Sequence, residues 1–305
     1  MSHVNPLQES FKPAIIVHGG AWSIPDSLRE DHINGVINAV KIGYQYLIDG
    51  KSALAAVEEA VICMEDNPVF DAGVGSFLNE KGYVELDALI MDGSTLEAGA
   101  IGAIMNCKNP IKLARKLMEK PSYPMMIVGR GADLFTEETG LNCDPNDIVI
   151  PREYERWKNK GGKDDIFSPT SKGTVGAVAI DEMGKLASAT STGGSPFKKV
   201  GRLGDTSLIG CGGYANEYAA ASSTGHGESF MKIVAARLAS ELIETGYTAS
   251  NAAKKIIQKI AKIKGFGGII IVDSKGNIGY HFNTVRMAHA LITQDGKLIS
   301  GIDPV

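Results

Sequence analysis

The sequence predicts a layered α+β fold. Strand-like and helix-like segments fall in blocks rather than in strict alternation, which argues against a parallel sheet assembled from βαβ units. Residues 175–181 and 186–192 are two apolar, β-prone runs separated by Glu182-Met183-Gly184-Lys185, the spacing and turn composition of a hairpin. With 305 residues and 44% hydrophobic content the chain can bury a substantial core, in one large domain or two ordinary ones.

The elements follow from pattern. Residues 14–17 read as a short buried strand that ends at His18-Gly19-Gly20, where glycine permits a tight turn. Ile33, Val36, Ile37, Val40 and Tyr44 recur at helical spacing. After the break at Asp49-Gly50 a second helix begins, with Ser52 as N-cap and Leu54, Val57, Ala60, Val61 and Met64 inside. The segment Asn67-Pro68-Val69-Phe70-Asp71-Ala72-Gly73-Val74-Gly75-Ser76 is turn-rich, and residues 86–91 form a strand with Asp87 and Asp92 near its ends. A helix over about 111–118 and a strand over 125–128 follow. From 142 to 172 the chain is charged and rich in Pro, Gly, Lys and Asp, the composition of an exposed loop or weakly ordered linker. Beyond the hairpin, Phe230, Ile233, Val234, Leu238 and Leu242 mark one helix over 228–243. A second spans 249–263 with lysines on its outer face. Strands at 269–272 and 278–282 flank Asp273-Ser274-Lys275-Gly276-Asn277, and no internal repeat is present.

Composition excludes several classes of function. A formal net charge of −4 with interspersed signs leaves no polybasic stripe for phosphates, so nucleic acid is not a partner. The longest apolar stretches, residues 267–272 and 13–17, fall far short of the roughly 20 residues that span a bilayer. The first eleven residues lack a basic head followed by an apolar segment, and a cytoplasmic location is expected. Cys63, Cys107, Cys143 and Cys211 are scattered without a Cys-x-x-Cys, so neither a disulfide framework nor a zinc site is indicated. No Gly-x-Ser-x-Gly elbow, P-loop or Gly-x-Gly-x-x-Gly occurs, which removes the serine-hydrolase, NTPase and dinucleotide readings.

The informative residue is Thr174, in Lys172-Gly173-Thr174-Val175-Gly176. Taken alone it reads as a β-branched residue opening a strand, and its context overturns that reading. A threonine hydroxyl is a poor nucleophile unless a base lies beside it, and cutting the preceding peptide bond would make its own amine that base. Such an amine, with an ordinary pKa of roughly 7.7–8.0, is partly neutral near physiological pH. Ser191-Thr192-Gly193-Gly194, Gly201-Arg202-Leu203-Gly204-Asp205 and Ser223-Thr224-Gly225-His226-Gly227-Glu228 supply hydroxyls, a guanidinium, a carboxylate and a mobile backbone, the groups a small zwitterionic substrate requires.

Those stretches, with Ile16-Val17-His18-Gly19-Gly20-Ala21, residues 67–75, Leu86-Asp87-Ala88, Met91-Asp92-Gly93 and residues 173–179, run in one order along nearly the whole chain. On them the sequence resembles the plant-type L-asparaginase and isoaspartyl aminopeptidase family of N-terminal nucleophile hydrolases. The resemblance implies a four-layer αββα sandwich, with Thr174 at the edge of one central sheet. It implies self-cleavage between Gly173 and Thr174 into an α subunit, residues 1–173, and a β subunit, residues 174–305, together one domain. Thr192 then positions the nucleophile, Arg202 holds the substrate α-carboxylate, and Asp205 holds its α-ammonium. Thr224 and Gly225 form the oxyanion hole, and the Gly227 carbonyl faces the substrate amine. His226 falls to a structural or subsite role, because the N-terminal amine already supplies the base. No cofactor is required, although the loop from Asn67 to Gly75 resembles one whose carbonyls hold a structural sodium ion. Asp71 departs from the pattern, standing where many members carry asparagine.

The implied reaction is hydrolysis of L-asparagine or β-aspartyl dipeptides, in a homodimer of αβ units. A glycosylasparaginase ranks lower, since Gly173 stands where that branch has aspartate and no secretory signal precedes it. A noncatalytic binding protein on the same fold is disfavoured by Thr174, Arg202, Asp205 and Thr224.

Overall fold

The computed structural model describes residues 11–159 and 173–304. The chain runs β1 (Ala14–Trp22), α1 (Arg29–Ile48), α2 (Ala53–Glu65), β2 (Leu86–Asp92), β3 (Ala98–Ile104), α3 (Pro110–Met118), β4 (Met126–Val128), α4 (Arg130–Thr139) and α5 (Pro151–Lys158). It continues β5 (Val175–Ile180), β6 (Leu186–Thr192), β7 (Gly213–Ala215), β8 (Ala219–Gly225), α6 (Gly227–Ile233), α7 (Ala235–Glu244), α8 (Ala249–Lys262), β9 (Gly267–Asp273), β10 (Ile278–Phe282), β11 (Arg286–Ile292) and β12 (Leu298–Gly301).

The strands form two sheets. One has eight strands in the order β12-β11-β1-β5-β6-β2-β3-β4, and the other has four, β10-β9-β8-β7. Every pairing is antiparallel except β3 with β4. Side chains alternate across each strand, so each sheet buries two faces. Ile15 and Val17 of β1 face the core under α1 and α2, whereas Ala14 and Ile16 face the other sheet. In β9, Ile270 and Val272 join that core between the sheets while Ile269 and Ile271 pack beneath α7 and α8. Three apolar cores between helix, sheet, sheet and helix layers make the αββα sandwich that the resemblance implies.

The helix starts agree with local chemistry. Ser52 Oγ accepts the Ala55 N–H at 3.3 Å, capping α2 as its sequence indicates, and Thr248 caps α8 in the same way. Other elements depart from the pattern. β1 runs on through His18-Gly19-Gly20 to Trp22, with a register shift against β11 between His18 and Ala21. β3 (Ala-Gly-Ala-Ile-Gly-Ala-Ile) and β8 (Ala-Ala-Ala-Ser-Ser-Thr-Gly) carry small residues where strand patterns call for branched ones, because closely packed layers leave no room for larger side chains. β7, β11, β12 and α4 likewise have no counterpart in the sequence reading. The single helix expected over 228–243 is two, broken at Val234 (φ 50°). Part of the expected linker is the helix α5, tied down by Glu153, a buried carboxylate that pairs with Arg152 at 2.7 Å and Arg156 at 3.4 Å. Residues 160–172 of that stretch lie outside the described residues. Among the described residues no helix is long and apolar enough to cross a membrane.

Layer contact is closest at Gly99 of β3, where a Cβ would stand 1.9 Å from the Ala114 carbonyl oxygen of α3. Backbone on both sides cannot yield as a side chain would. Gly99→Ala is therefore expected to lower unfolding stability by about 1–3 kcal/mol, the usual cost of overpacking, read as a shifted urea midpoint with unchanged slope. A midpoint equal to that of the wild type would mean that α3 can slide away at no cost.

Candidate active site

Thr174 is buried at the entrance to β5, an interior strand between β1 and β6. The expected edge position is thus the rim where strands end, and not an unpaired outer strand. The antiparallel register Val175↔Ser191 brings the preceding residue, Thr174, beside Thr192 at the end of β6. Thr174 Oγ1 lies 2.6 Å from the Gly173 carbonyl oxygen and 3.1 Å from Thr192 Oγ1. Thr192 Oγ1 donates to that same carbonyl at 2.9 Å and accepts the Gly194 N–H at 2.9 Å. Each hydroxyl has one proton. Thr192 spends its proton on Gly173 O, and the single Thr174 proton has that same carbonyl and the Thr192 oxygen as its two acceptors.

His18, which the sequence reading placed at a turn within a family-like stretch without giving it a role, holds the other side of Thr174. Its Nδ1 donates to the Thr174 carbonyl at 3.1 Å, and its Nε2 accepts from Ser222 Oγ at 2.9 Å. Ser222 in turn meets Thr190 Oγ1 at 2.9 Å. Complete burial pushes the His18 pKa down to about 3, only partly offset by the Thr174 hydrogen bond, so the imidazole is neutral and its tautomer follows from the acceptor it faces. Nothing local marks this role, since His18 and Ser222 are 204 positions apart.

The opposite wall comes from the loop between β6 and β7 and from the end of β8. Thr174, Thr192, Arg202, Asp205 and Gly225 line one cavity with Gly173, joined by Ser195 and Thr206, which the sequence did not single out. Only about 10 Å³ is open there in the continuous chain, about enough for one water and too small for an amino acid. Arg202 Nε and Nη2 both donate to Glu228 Oε1, at 3.0 and 2.8 Å, a role the sequence did not assign to Glu228. Asp205 Oδ2 accepts from Ser223 Oγ at 2.8 Å. Burial raises its pKa to about 6, with the Ser223 hydrogen bond and then Arg202 opposing.

Thr224 and Gly227 stand just behind this lining. Thr224 Oγ1 accepts the Ala21 N–H at 3.2 Å, which leaves its own proton to donate. Gly225, at φ 128°, passes so close to Gly267 that a Cβ would stand 2.4 Å from the Gly267 Cα. A Cβ on Gly227 would stand 2.7 Å from Asp205 Oδ1, which fixes the start of α6 against the acid. His226 meets Ser229 Oγ at 2.7 Å and stacks on Phe266 with centroids 5.5 Å apart, consistent with a structural part. A wider groove of about 850 Å³ between the start of α8 and β10–β12 holds none of these groups.

The loop of residues 67–75 crowds oxygen atoms together. A Cβ on Gly73 would stand 2.5 Å from the Glu65 carbonyl oxygen and 2.7 Å from that of Lys108. One on Gly75 would stand 2.6 Å from that of Pro68 and 2.8 Å from that of Phe70. Among the described residues no group of three or more His, Cys, Asp or Glu side chains converges as metal ligands.

The profile of a family described as Asparaginase matches residues 11–300. The chain is 48% identical to the isoaspartyl peptidase/L-asparaginase of Xenopus laevis over 93% of its length and 94% of that protein. It is 42% identical to the Homo sapiens protein of the same name, over 96% of its length and 97% of that protein. It is also 42% identical to the plant-type L-asparaginase of Pyrococcus abyssi, over 92% of its length and 96% of that protein. With a profile match over nearly every residue and relatives this similar end to end, the chain belongs to the asparaginase family.

Proposed function

We propose that this chain is a self-processing threonine amidohydrolase that converts L-asparagine to L-aspartate and ammonia and cleaves β-aspartyl dipeptides. The observation that carries this reading is the pair of hydroxyls, Thr174 and Thr192, on the carbonyl of the peptide bond that precedes Thr174. Relatives named isoaspartyl peptidase/L-asparaginase and plant-type L-asparaginase support the choice of substrates.

Processing begins with Thr192 polarising the Gly173 carbonyl. Thr174 Oγ attacks the carbonyl carbon, the C–N bond breaks, and the hydroxyl proton ends on the released amine. Water then hydrolyses the Gly173 ester, leaving a Gly173 carboxylate and a free N-terminal threonine. Departure of Gly173 enlarges a cavity that it now lines. In turnover the new amine accepts the Thr174 hydroxyl proton, and Oγ attacks the substrate side-chain carbonyl. The nitrogen leaves as ammonia or as the amine of the second amino acid, and water releases L-aspartate from the ester.

Arg202 binds the α-carboxylate through a planar guanidinium that Glu228 keeps oriented. Asp205 takes the α-ammonium, and the Gly227 carbonyl adds an acceptor. The Thr224 hydroxyl and Gly225 N–H meet the developing oxyanion, where one such donor is worth roughly 2.7–4 kcal/mol. The crowded carbonyls around Gly73 and Gly75 fit a monovalent cation such as sodium, which would brace the loop beside Gly173 and take no part in the chemistry. We take the assembly to be a dimer of αβ units in the cytoplasm, a reading that rests on the family resemblance and on free thiols at Cys63, Cys107, Cys143 and Cys211.

Purified protein is expected to give two fragments on a denaturing gel, the smaller with the N-terminus Thr-Val-Gly, and Thr174→Ala a single inactive chain. Efficient cleavage of that variant would displace the scissile bond. A second expectation concerns pH. The new amine, near its ordinary pKa of roughly 7.7–8.0, makes kcat/KM fall about tenfold per unit below that range. Asp205 must be ionised to hold the ammonium, so the slope steepens below about 6 in the wild type. Asp205→Asn should raise KM and keep only the shallower slope; an unchanged profile would remove Asp205 from substrate binding.

A further inference from the structure

His18 is fully buried, touches Thr174 and takes no part in the chemistry above. The β1–β5 ladder ends at His18↔Gly176, and beyond it β1 bulges over Gly19 and Gly20. Past that end the imidazole reaches on to the Thr174 carbonyl, with Nδ1 at 3.1 Å. A carbonyl oxygen only accepts, so Nδ1 carries the one proton of the neutral ring and Nε2 presents a lone pair. Ser222 of β8 donates to Nε2 at 2.9 Å. With its single proton spent there, the Ser222 oxygen accepts from Thr190 Oγ1 of β6, also at 2.9 Å. Three hydrogen bonds thus run in one direction, from Thr190 through Ser222 and His18 to Thr174, and tie strands of both sheets together. His18, Ser222 and Thr190 are all buried, and Gly176 makes room for them: a Cβ there would stand 2.1 Å from Ser222 Oγ and 2.5 Å from His18 Nε2.

We propose that this chain of hydrogen bonds positions the mature nucleophile, His18 holding the new N-terminal residue by its carbonyl once the Gly173–Thr174 bond is cut. The proposal deepens the self-processing reading above and rests on it. Before cleavage Thr174 is tied covalently on both sides. Afterwards it is a chain end, and chain ends fray unless something ties them down. The His18 hydrogen bond holds the peptide plane between Thr174 and Val175. With that plane held, the amine and Oγ move only by rotation about the Cα–C bond and within the side chain, where Thr192 Oγ1 meets Oγ1 at 3.1 Å.

The consequence falls on rate and not on affinity. A loose terminus carries Oγ off the line of attack, and a displacement of about 1 Å at a reacting atom costs up to about a hundredfold in rate. Arg202 and Asp205, which hold the substrate in the proposed mechanism, sit on the loop between β6 and β7, and no bond of this chain reaches them. Ser222 matters because its donated proton selects the tautomer. Without it the ring is equally able to carry its proton on Nε2, and the Nδ1 lone pair would then face the Thr174 oxygen and repel it. His18 exchanges no atom or proton with substrate, so it is a positioning residue.

The test compares purified, processed wild type with His18→Asn, His18→Gln and Ser222→Ala. The asparagine amide N–H stands where Nδ1 does and keeps a donor for the Thr174 carbonyl; the glutamine amide reaches the place of Nε2 and meets Ser222 instead. Self-cleavage is followed on denaturing gels, kcat and KM are measured on L-asparagine, and urea midpoints are recorded. Self-cleavage should go to completion in all four, kcat should fall about tenfold in His18→Gln and Ser222→Ala but by less than about threefold in His18→Asn, and KM should stay within about twofold. Equal kcat in the asparagine and glutamine variants overturns the proposal, as do losses of kcat that follow the urea midpoints or a KM that rises as kcat falls. Cleavage that stalls in the glutamine variant while the asparagine variant matures also overturns it, by moving the role of His18 to processing. Ser222→Ala, which deletes one oxygen, decides alone if neither His18 variant folds: wild-type kcat there overturns the proposal, and a lowered kcat at unchanged KM supports it. A wild type that is never cut and hydrolyses no asparagine would instead sink the self-processing reading itself.

Discussion

The pairing of β5 with β6 is the constraint on which the site depends. Their antiparallel register sets Val175 opposite Ser191, so the residues just beyond, Thr174 and Thr192, share one end of the ladder. A slip of one residue would send every side chain of a strand to the opposite face, taking Thr174 into a core. Both strands lie inside the eight-stranded sheet and are buried on both faces, and that burial makes a slip costly.

The second sheet contributes what the first lacks. The end of β8 brings Thr224 and Gly225 up to Thr174, and the loop between β6 and β7 carries Arg202 and Asp205 round to meet them. Small residues make this approach possible. β3, β5, β6 and β8 are rich in Ala, Ser and Gly, so the layers lie close, and hydroxyls such as Ser188 and Ser222 find partners across the gap. Buried polar groups of this kind are sustained only when paired. His18, Ser222 and Thr190 form such a chain beneath the Thr174 carbonyl.

The charge balance within the site is unequal. Glu65, Asp71, Asp87 and Asp205 are fully enclosed carboxyls, all pushed upward by burial, and the buried Lys198 ammonium opposes the rise in Asp71 and Asp87. On the proposed mechanism, in which an oxyanion forms and a zwitterion then binds, keeping some of these acids neutral is an advantage. Asp205 rises only to about 6, which leaves it largely ionised at neutral pH, as the proposed hold on an ammonium group requires.

Much of this was legible in the chain itself. Thr174 after Gly173, the hairpin that follows, the Ser52 cap, the layered α+β class and the order of the Thr192, Arg202, Asp205 and Thr224 stretches are local facts, written in residues a few positions apart. The strands β3, β7, β8, β11 and β12, the break at Val234 and the helix α5 were not, because small residues, an exposed left-handed valine and a buried Glu153 take their meaning from neighbours distant in sequence. The same holds within the site. Sequence alone determined which chemical groups are present and in what order; only the tertiary structure decided that His18 meets Thr174 and that Glu228 holds Arg202, since each is a contact across a long stretch of chain that packing, and not local propensity, brings about.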